Sequence, residues 1–435
     1  MRAMRRNLIS QWSSSRGIST VNPNAEPINK PIKTSIQILR WSLLATATFC
    51  LPLASRSQTW VTLTETPDYN WHAGCFGTAS GNLAGFWDRH GLPNCYTGLV
   101  AGGVAPLNSF GGNDGIRSLW ASEAGLDGRL GSKPGHMNDY YRGYDSVGSD
   151  PYFAAGRPEH TPDCTGDFIG LNQKKWTNLN NECQGNIDGF SFVFWDKTGN
   201  RRDNFYTTNQ GVYIPDIGSG LREWAHYRGY DADVFTQLTS FNGERSTTNG
   251  FTFENVKAEI NAGYPVLIFL QPIAEFSRSN DSFTNFNPEI HGILIYGYME
   301  NIAELGVHQA VIVRTSWASG DGQFEEWSLH TWLGLAYSST FAPRGVIGFH
   351  PKPKIRSFTR GPGTVTLAWD GPSALLRDEL SGATSAVHNY VVQQASRLDP
   401  PNWKAVGAST TLRTATVPDT GGSMAFYRVH LVPNP

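Results

Sequence analysis

From Cys75 to Gly91 the chain reads CFGTASGNLAGFWDRHG, and its apolar residues recur at helical spacing. Phe76, Ala79, Leu83, Phe86 and Trp87 make one stripe, as on an amphipathic helix. Gly77, Gly81 and Gly85 fall four apart, a second and smoother face that suits close approach to a sheet. Each glycine costs ~1 kcal/mol against alanine inside a helix, so close packing is the expected compensation. Gly91 is a natural C-terminal stop. Cys75 then stands in the first turn, where unpaired N–H groups and the helix dipole favour a thiolate. A lone cysteine is also a common small core filler, so both roles stay open at this point.

Helical periodicity returns in SGLREWAHYRGYDADVFTQL, with Ser219 as the expected cap, an end near Tyr227, Gly229 as the stop, and a strand after it. FTFENVKAEINAGYPVLIFLQ predicts a second helix that buries Phe253, Val256 and Ile260, ends at Gly263, and leads into a strand from Pro265 to Leu270. Further apolar strands are EIHGILIYGYM, AVIVRTSWA and GVIGFHP. Helices first and clustered strands afterwards predict an α+β domain with a mostly antiparallel sheet over residues 59–350. Within it, residues 92–130 are Gly-rich with one short helix expected in GIRSLWASEAG. Residues 131–215 read as a long loop region with a hairpin turning at Thr198-Gly199-Asn200.

After PKPKI at 351–355, a stiff linker, the pattern changes to short alternating strands such as TVTLAWD, HNYVVQQASR and AFYRVHLV. Trp369, Tyr390 and Tyr427 are the expected core aromatics of a small all-β sandwich over residues 355–435. This strand pattern, with FYRV near the end, resembles fibronectin type III domains.

Residues 41–54, WSLLATATFCLPLA, form an apolar run preceded by Lys30, Lys33 and Arg40 and followed by small residues. The run fits the core of a secretory signal peptide, so residues 1–58 read as leader and signal. The acid-free, Arg- and Ser-containing start also fits an organellar transit peptide. No later segment is apolar enough to span a membrane. A formal charge of −2 with 17 % charged residues leaves no nucleic-acid footprint. Aromatics at 12 % and 46 glycines suit a loop-rich extracytoplasmic protein. Once the signal takes Cys50 away, Cys75, Cys95, Cys164 and Cys183 remain. With Cys75 free, at most one disulfide forms, and Cys164–Cys183 would close a modest loop. No cysteine or histidine spacing fits a zinc site, so no cofactor is expected.

A nucleophilic Cys75 requires a base within hydrogen-bond reach and a group that orients the base. His72, His136, His160 and His226 stand in loop or surface contexts, whereas His291 opens an apolar strand after a long polar loop. The order of motifs is GCFGTA at 74–79, AGYPV at 262–266, HGILIYGY at 291–298 and VIVRTSW at 311–317. It resembles papain-like cysteine peptidases, in particular the bacterial branch related to bacteriocin-leader-processing peptidases. The resemblance implies a papain-like domain with Cys75 as nucleophile, His291 as general acid/base and an oxyanion donor before the cysteine. The orienting position falls on Thr315, where the family usually has a carboxylate or amide. A threonine accepts a hydrogen bond without stabilising imidazolium by charge, so the base is weaker. Asp321 is a nearby alternative. The usual oxyanion position falls on Tyr69, with Asn70 beside it able to donate.

The function expected is a secreted hydrolase that cleaves peptide or amide bonds of a peptide or protein substrate through an acyl-enzyme. The alternative is a decayed peptidase fold that acts as an extracellular binding or adhesion protein, with the C-terminal sandwich on a surface polymer.

Overall fold

The computed structural model describes residues 57–69, 75–93, 196, 198–205, 217–240, 248–272, 291–302, 307–315, 328–331, 341–419 and 424–433, with Cys95, Ala105, Leu107 and short pieces between 147 and 213. The leader and signal up to residue 56, the helix expected in 115–125, the Cys164 end of the expected disulfide, Asn70 and Asp321 lie outside these residues. The architecture is α+β with antiparallel sheets. No helix among the described residues is long and apolar enough to cross a membrane.

Strand β1 (Thr59–Leu63) precedes helix α1 (Cys75–Arg89). Leu92 N–H returns to the Trp87 carbonyl across Gly91, whose φ of 103° only glycine adopts cheaply. Helix α2 (Ile217–Tyr227) leads into β2 (Ala232–Leu238), and α3 (Phe253–Asn261) into β3 (Val266–Pro272). The long strand β4 (His291–Ile302), β5 (Val307–Arg314) and β6 (Phe341–Pro351) complete the centre. Thr252 caps α3 in a reciprocal capping box with Asn255, and Phe253, Val256 and Ile260 are buried as their spacing requires. Ser219 does not cap α2: the helix begins at Ile217, and the buried Ser219 hydroxyl donates to the Phe205 carbonyl at 3.0 Å.

One flank of β4 carries two partners in succession, β3 along 291–295 and β1 along 297–300. β5 covers the other flank from Leu294 to Ile302, with an irregularity at Ile312/Val313. The sheet therefore splits near Gly297 and bends there. Phe76, Leu83, Phe86 and Trp87 of α1 join the main hydrophobic core with Phe269, Ile293 and Leu294. A smaller cluster of Tyr296, Met299 and Ile312 with Trp60 forms separately from it.

The C-terminal segment has its own core of Val365, Leu367, Trp369, Tyr390, Val392 and Val417, with Tyr427 packed against it. Its strands form two three-stranded sheets. Only Lys352 and Pro353 separate β6 from the next strand, and Lys352 pairs with Asp231 and Asp233 at 3.1 and 2.8 Å. The same segment also lends a hairpin to the main sheet. Strands β7 (Leu375–Asp378) and β8 (Thr384–Ala386) pair outward from β1, with Val61 opposite Asp378. Its chain also closes the end of α1. Gly371 N–H donates to the Gly91 carbonyl at 3.0 Å, Ser373 N–H to His90 at 2.9 Å, and Arg413 Nη1 to Gly91 at 3.2 Å. A cation there also complements the helix dipole.

His388 sits in this junction, buried against Trp87, Tyr264 and Gly263. Its Nδ1 accepts from Ala374 N–H at 3.2 Å, which requires a neutral ring, and its buried Nε2 has no hydrogen-bond partner. Burial, with His90 and His350 nearby, pushes its pKa down to about 3. Folding thus favours the neutral form. This contribution is complete above pH ~6.5 and declines as the pH falls toward 3, by up to roughly 1.4 kcal/mol per unit. Thermal midpoints measured from pH 7 to 4 are expected to fall on this account. His388→Asn, which keeps an acceptor for Ala374, should flatten the acid limb, and an unchanged limb would refute this source of acid sensitivity.

Truncation after Lys352 removes the strand that covers β1 and the groups that close α1. The truncated protein is expected to show a lower thermal midpoint and more aggregation than the full chain, measured by scanning fluorimetry and light scattering. An unchanged midpoint with no aggregation would count against this stapling role.

Candidate active site

Cys75 is the first residue of α1 and His291 the first of β4, so two element ends position the pair. Phe76 stacks on Phe269 of β3 at 4.6 Å between ring centroids, and its ring fills the place a side chain at residue 292 would need. Gly292 thereby lets α1 approach the sheet. The glycine stripe within the helix has a different neighbour at Gly85, which lies against Tyr69 and Pro67.

At this contact the Gly292 N–H donates to the Cys75 sulfur at 3.4 Å. In an antiparallel pair a residue either exchanges both backbone bonds with its opposite or turns both away. Gly292 stands opposite Phe269 on β3 and gives its N–H to sulfur, so that N–H faces the flank of β4 that β5 occupies. The last β5 pair is Arg314 with Leu294. Thr315, half-buried, is the next residue along the chain, just past that pair. The starts of α1 and β4 meet through the Gly292 peptide at one corner of the sheet, with the end of β5 beside them. Cys75 is 2 % exposed and His291 7 %.

Tyr69 does not supply an oxyanion donor from its ring. Its N–H donates to Asn82 Oδ1 at 2.9 Å, and its hydroxyl lies beside Gly85. The helix from Cys75 to Gly85 is roughly 15 Å long at 1.5 Å per residue, too far for contact with the thiol.

The electrostatic feature that the sequence reading passed over is a buried ion pair. Arg314 Nη1 lies 3.6 Å from Asp68 Oδ2, and its Nη2 donates to the Thr66 carbonyl at 2.8 Å. The guanidinium also sits 4.6 Å from the Tyr296 ring centroid. An arginine closing the apolar run AVIVR was the available signal, since buried charge demands a partner. Beyond it a cleft of about 460 Å³ opens over Trp60, Tyr296 and Ile312, with Arg377 and Glu379 of the C-terminal hairpin at its rim. Arg377 and Glu379 pair at 3.2 Å, so the cleft is largely neutral. Among the described residues no group of three His, Cys, Asp or Glu side chains is placed to hold a metal.

No protein-family model matches the chain, and no curated protein matches it in sequence.

Cys75 and Cys95 are both buried thiols outside any disulfide. Burial, reinforced by Asp88, pushes the Cys95 thiol up to about 12, the state of an inert core cysteine. Cys75 has a helix N-terminus and a peptide N–H directed at its sulfur instead. A small electrophile such as iodoacetamide is expected to modify Cys75 in the folded protein at neutral pH and to spare Cys95 until denaturation, as peptide mass mapping would read. Equal labelling of both, or protection of both, would contradict the assignment.

Proposed function

We propose that the chain is a papain-like cysteine hydrolase acting outside the cytoplasm on peptide or amide bonds, with residues 41–54 as its export signal. The observation that carries the reading is the hydrogen bond from Gly292 N–H to the Cys75 sulfur, which joins a helix-start thiol to the strand that His291 opens. In this reaction the Cys75 sulfur attacks the substrate carbonyl carbon while its proton passes to His291. The carbonyl oxygen takes the negative charge and is met by N–H groups at the start of α1, with Asn70 as a further donor. The C–N bond then breaks, His291 returns the proton to the leaving amine, and a thioester remains. Water deprotonated by His291 hydrolyses it and regenerates the thiol. In this reaction Thr315 would orient the imidazole by a neutral hydrogen bond. The fibronectin type III-like sandwich is proposed to engage a surface polymer or the substrate's own scaffold.

The uncharged Thr315 favours a second reading, in which the fold has lost turnover and serves as an extracellular binding protein. Thiol reactivity separates the two. A labelled small electrophile should modify the wild-type protein and not Cys75→Ala, and His291→Ala should slow labelling by about tenfold or more at pH 7. Thr315→Asn, a better acceptor without a new charge, should speed it, and Thr315→Ala should slow it. Labelling indifferent to His291→Ala and to both Thr315 variants would leave the binding reading in possession.

A further inference from the structure

The segment that leads into Cys75 is held from two sides before it reaches the helix. On one side Tyr69 N–H is bonded to Asn82 of α1, the helix that begins with Cys75. On the other, Asp68 and the Thr66 carbonyl are gathered by the Arg314 guanidinium. Asp68 N–H is spent on the Leu107 carbonyl at 2.7 Å, so the segment has little freedom left. Arg314 in turn is the last residue of β5, covalently joined to Thr315, and its plane lies over the Tyr296 ring on β4. Both charged side chains are about nine-tenths buried. One guanidinium thus contacts the entry to the nucleophile, the strand that His291 opens, and the strand end that carries Thr315.

We propose that Arg314 is a positioning residue for the acyl-transfer site: it fixes the alignment of Cys75, His291 and Thr315 without touching the reacting atoms. The inference rests on the hydrolase reading given above. Only an arginine meets the geometry, because its rigid fork reaches a carboxylate and a carbonyl with separate nitrogens while its flat face stacks on a ring. A lysine keeps the charge and can satisfy one acceptor at a time. The described partners of Arg314 are Asp68, the Thr66 carbonyl and the Tyr296 ring, so the arginine acts on the corner through backbone placement and not through its field.

The test uses the full chain and the pH profile of Cys75 alkylation by iodoacetamide, with Cys95 protection as the monitor of folding. Arg314→Lys is expected to keep Cys95 protected, to slow Cys75 labelling at pH 7 by about tenfold, and to move the inflection of the profile upward toward an ordinary thiol. Asp68→Asn, which leaves the backbone and side-chain size intact, should move the profile the same way, and the double variant should add little to either. Should Arg314→Lys fail to fold, Asp68→Asn decides alone. Wild-type profiles in every folded variant, while His291→Ala does slow labelling, would overturn the positioning role and leave the hydrolase reading standing. A silent His291→Ala would overturn the hydrolase reading and the positioning role with it.

Discussion

Everything about the candidate site depends on how closely α1 meets β4, and that distance is set by a residue without a side chain. Phe76 lies on the bare face of Gly292, and the N–H of that same glycine reaches the Cys75 sulfur. A methyl group at residue 292 would stand inside the Phe76 ring and push the helix start away from the strand. The thiol would then lose its donor. The far end of the helix is fixed independently. Residues 371–373 and Arg413 take up the carbonyls of His90 and Gly91 that the helix cannot satisfy itself. The C-terminal segment thereby anchors the nucleophile helix from the end opposite the chemistry.

The polar groups inside the core follow one logic. Asn82 accepts from Tyr69 N–H, Asp88 from Ala105 N–H at 2.8 Å, and Asp68 faces Arg314. Each takes a side chain from a regular element to hold a connecting segment that has no ladder of its own. Buried charge is costly, and breaking one partner of such a pair typically costs ~3–5 kcal/mol, so these contacts act as placement devices more than as net stabilisers. His388 departs from the pattern. Its ring accepts one bond and leaves its other nitrogen unpaired, so its neutral form is favoured by what surrounds it and not by a completed network.

Local periodicity made much of this legible. The stripe from Phe76 to Trp87, the positive-φ stops at Gly91, Gly229 and Gly263, and the strand opened by His291 follow from rules that act over a few residues. Ser219 misled because a serine serves a cap and a buried carbonyl equally well, and only the position of Phe205 decides between them. The pairing of β7 with β1 was out of reach for a different reason. LLRD is four residues long, and nothing in it says that it forms a strand whose partner lies some three hundred positions earlier, outside the two C-terminal sheets. Arg314 was visible as an oddity in an apolar run, but its partner Asp68 is equally remote.

The chemistry that this corner permits is limited by where its charges have gone. Asp68 is the described carboxylate that lies just before the nucleophile helix, and it is engaged by Arg314. Arg314 itself is engaged by Asp68, the Thr66 carbonyl and the Tyr296 ring. On the proposed hydrolase reading, activation of the sulfur would rest on dipoles: the N-terminal end of α1 and the Gly292 N–H. Such groups lower a thiol pKa without needing a permanent ion pair between Cys75 and His291. Cys95 has no such donors described at its sulfur and is driven the other way, by burial and the Asp88 charge. A thiol tuned by dipoles would be sensitive to the direction of a few N–H bonds and insensitive to the chain's overall charge. Small displacements of the helix start matter here more than substitutions on the surface, and the bracing of residues 66–69 from both sides is the structural counterpart of that sensitivity.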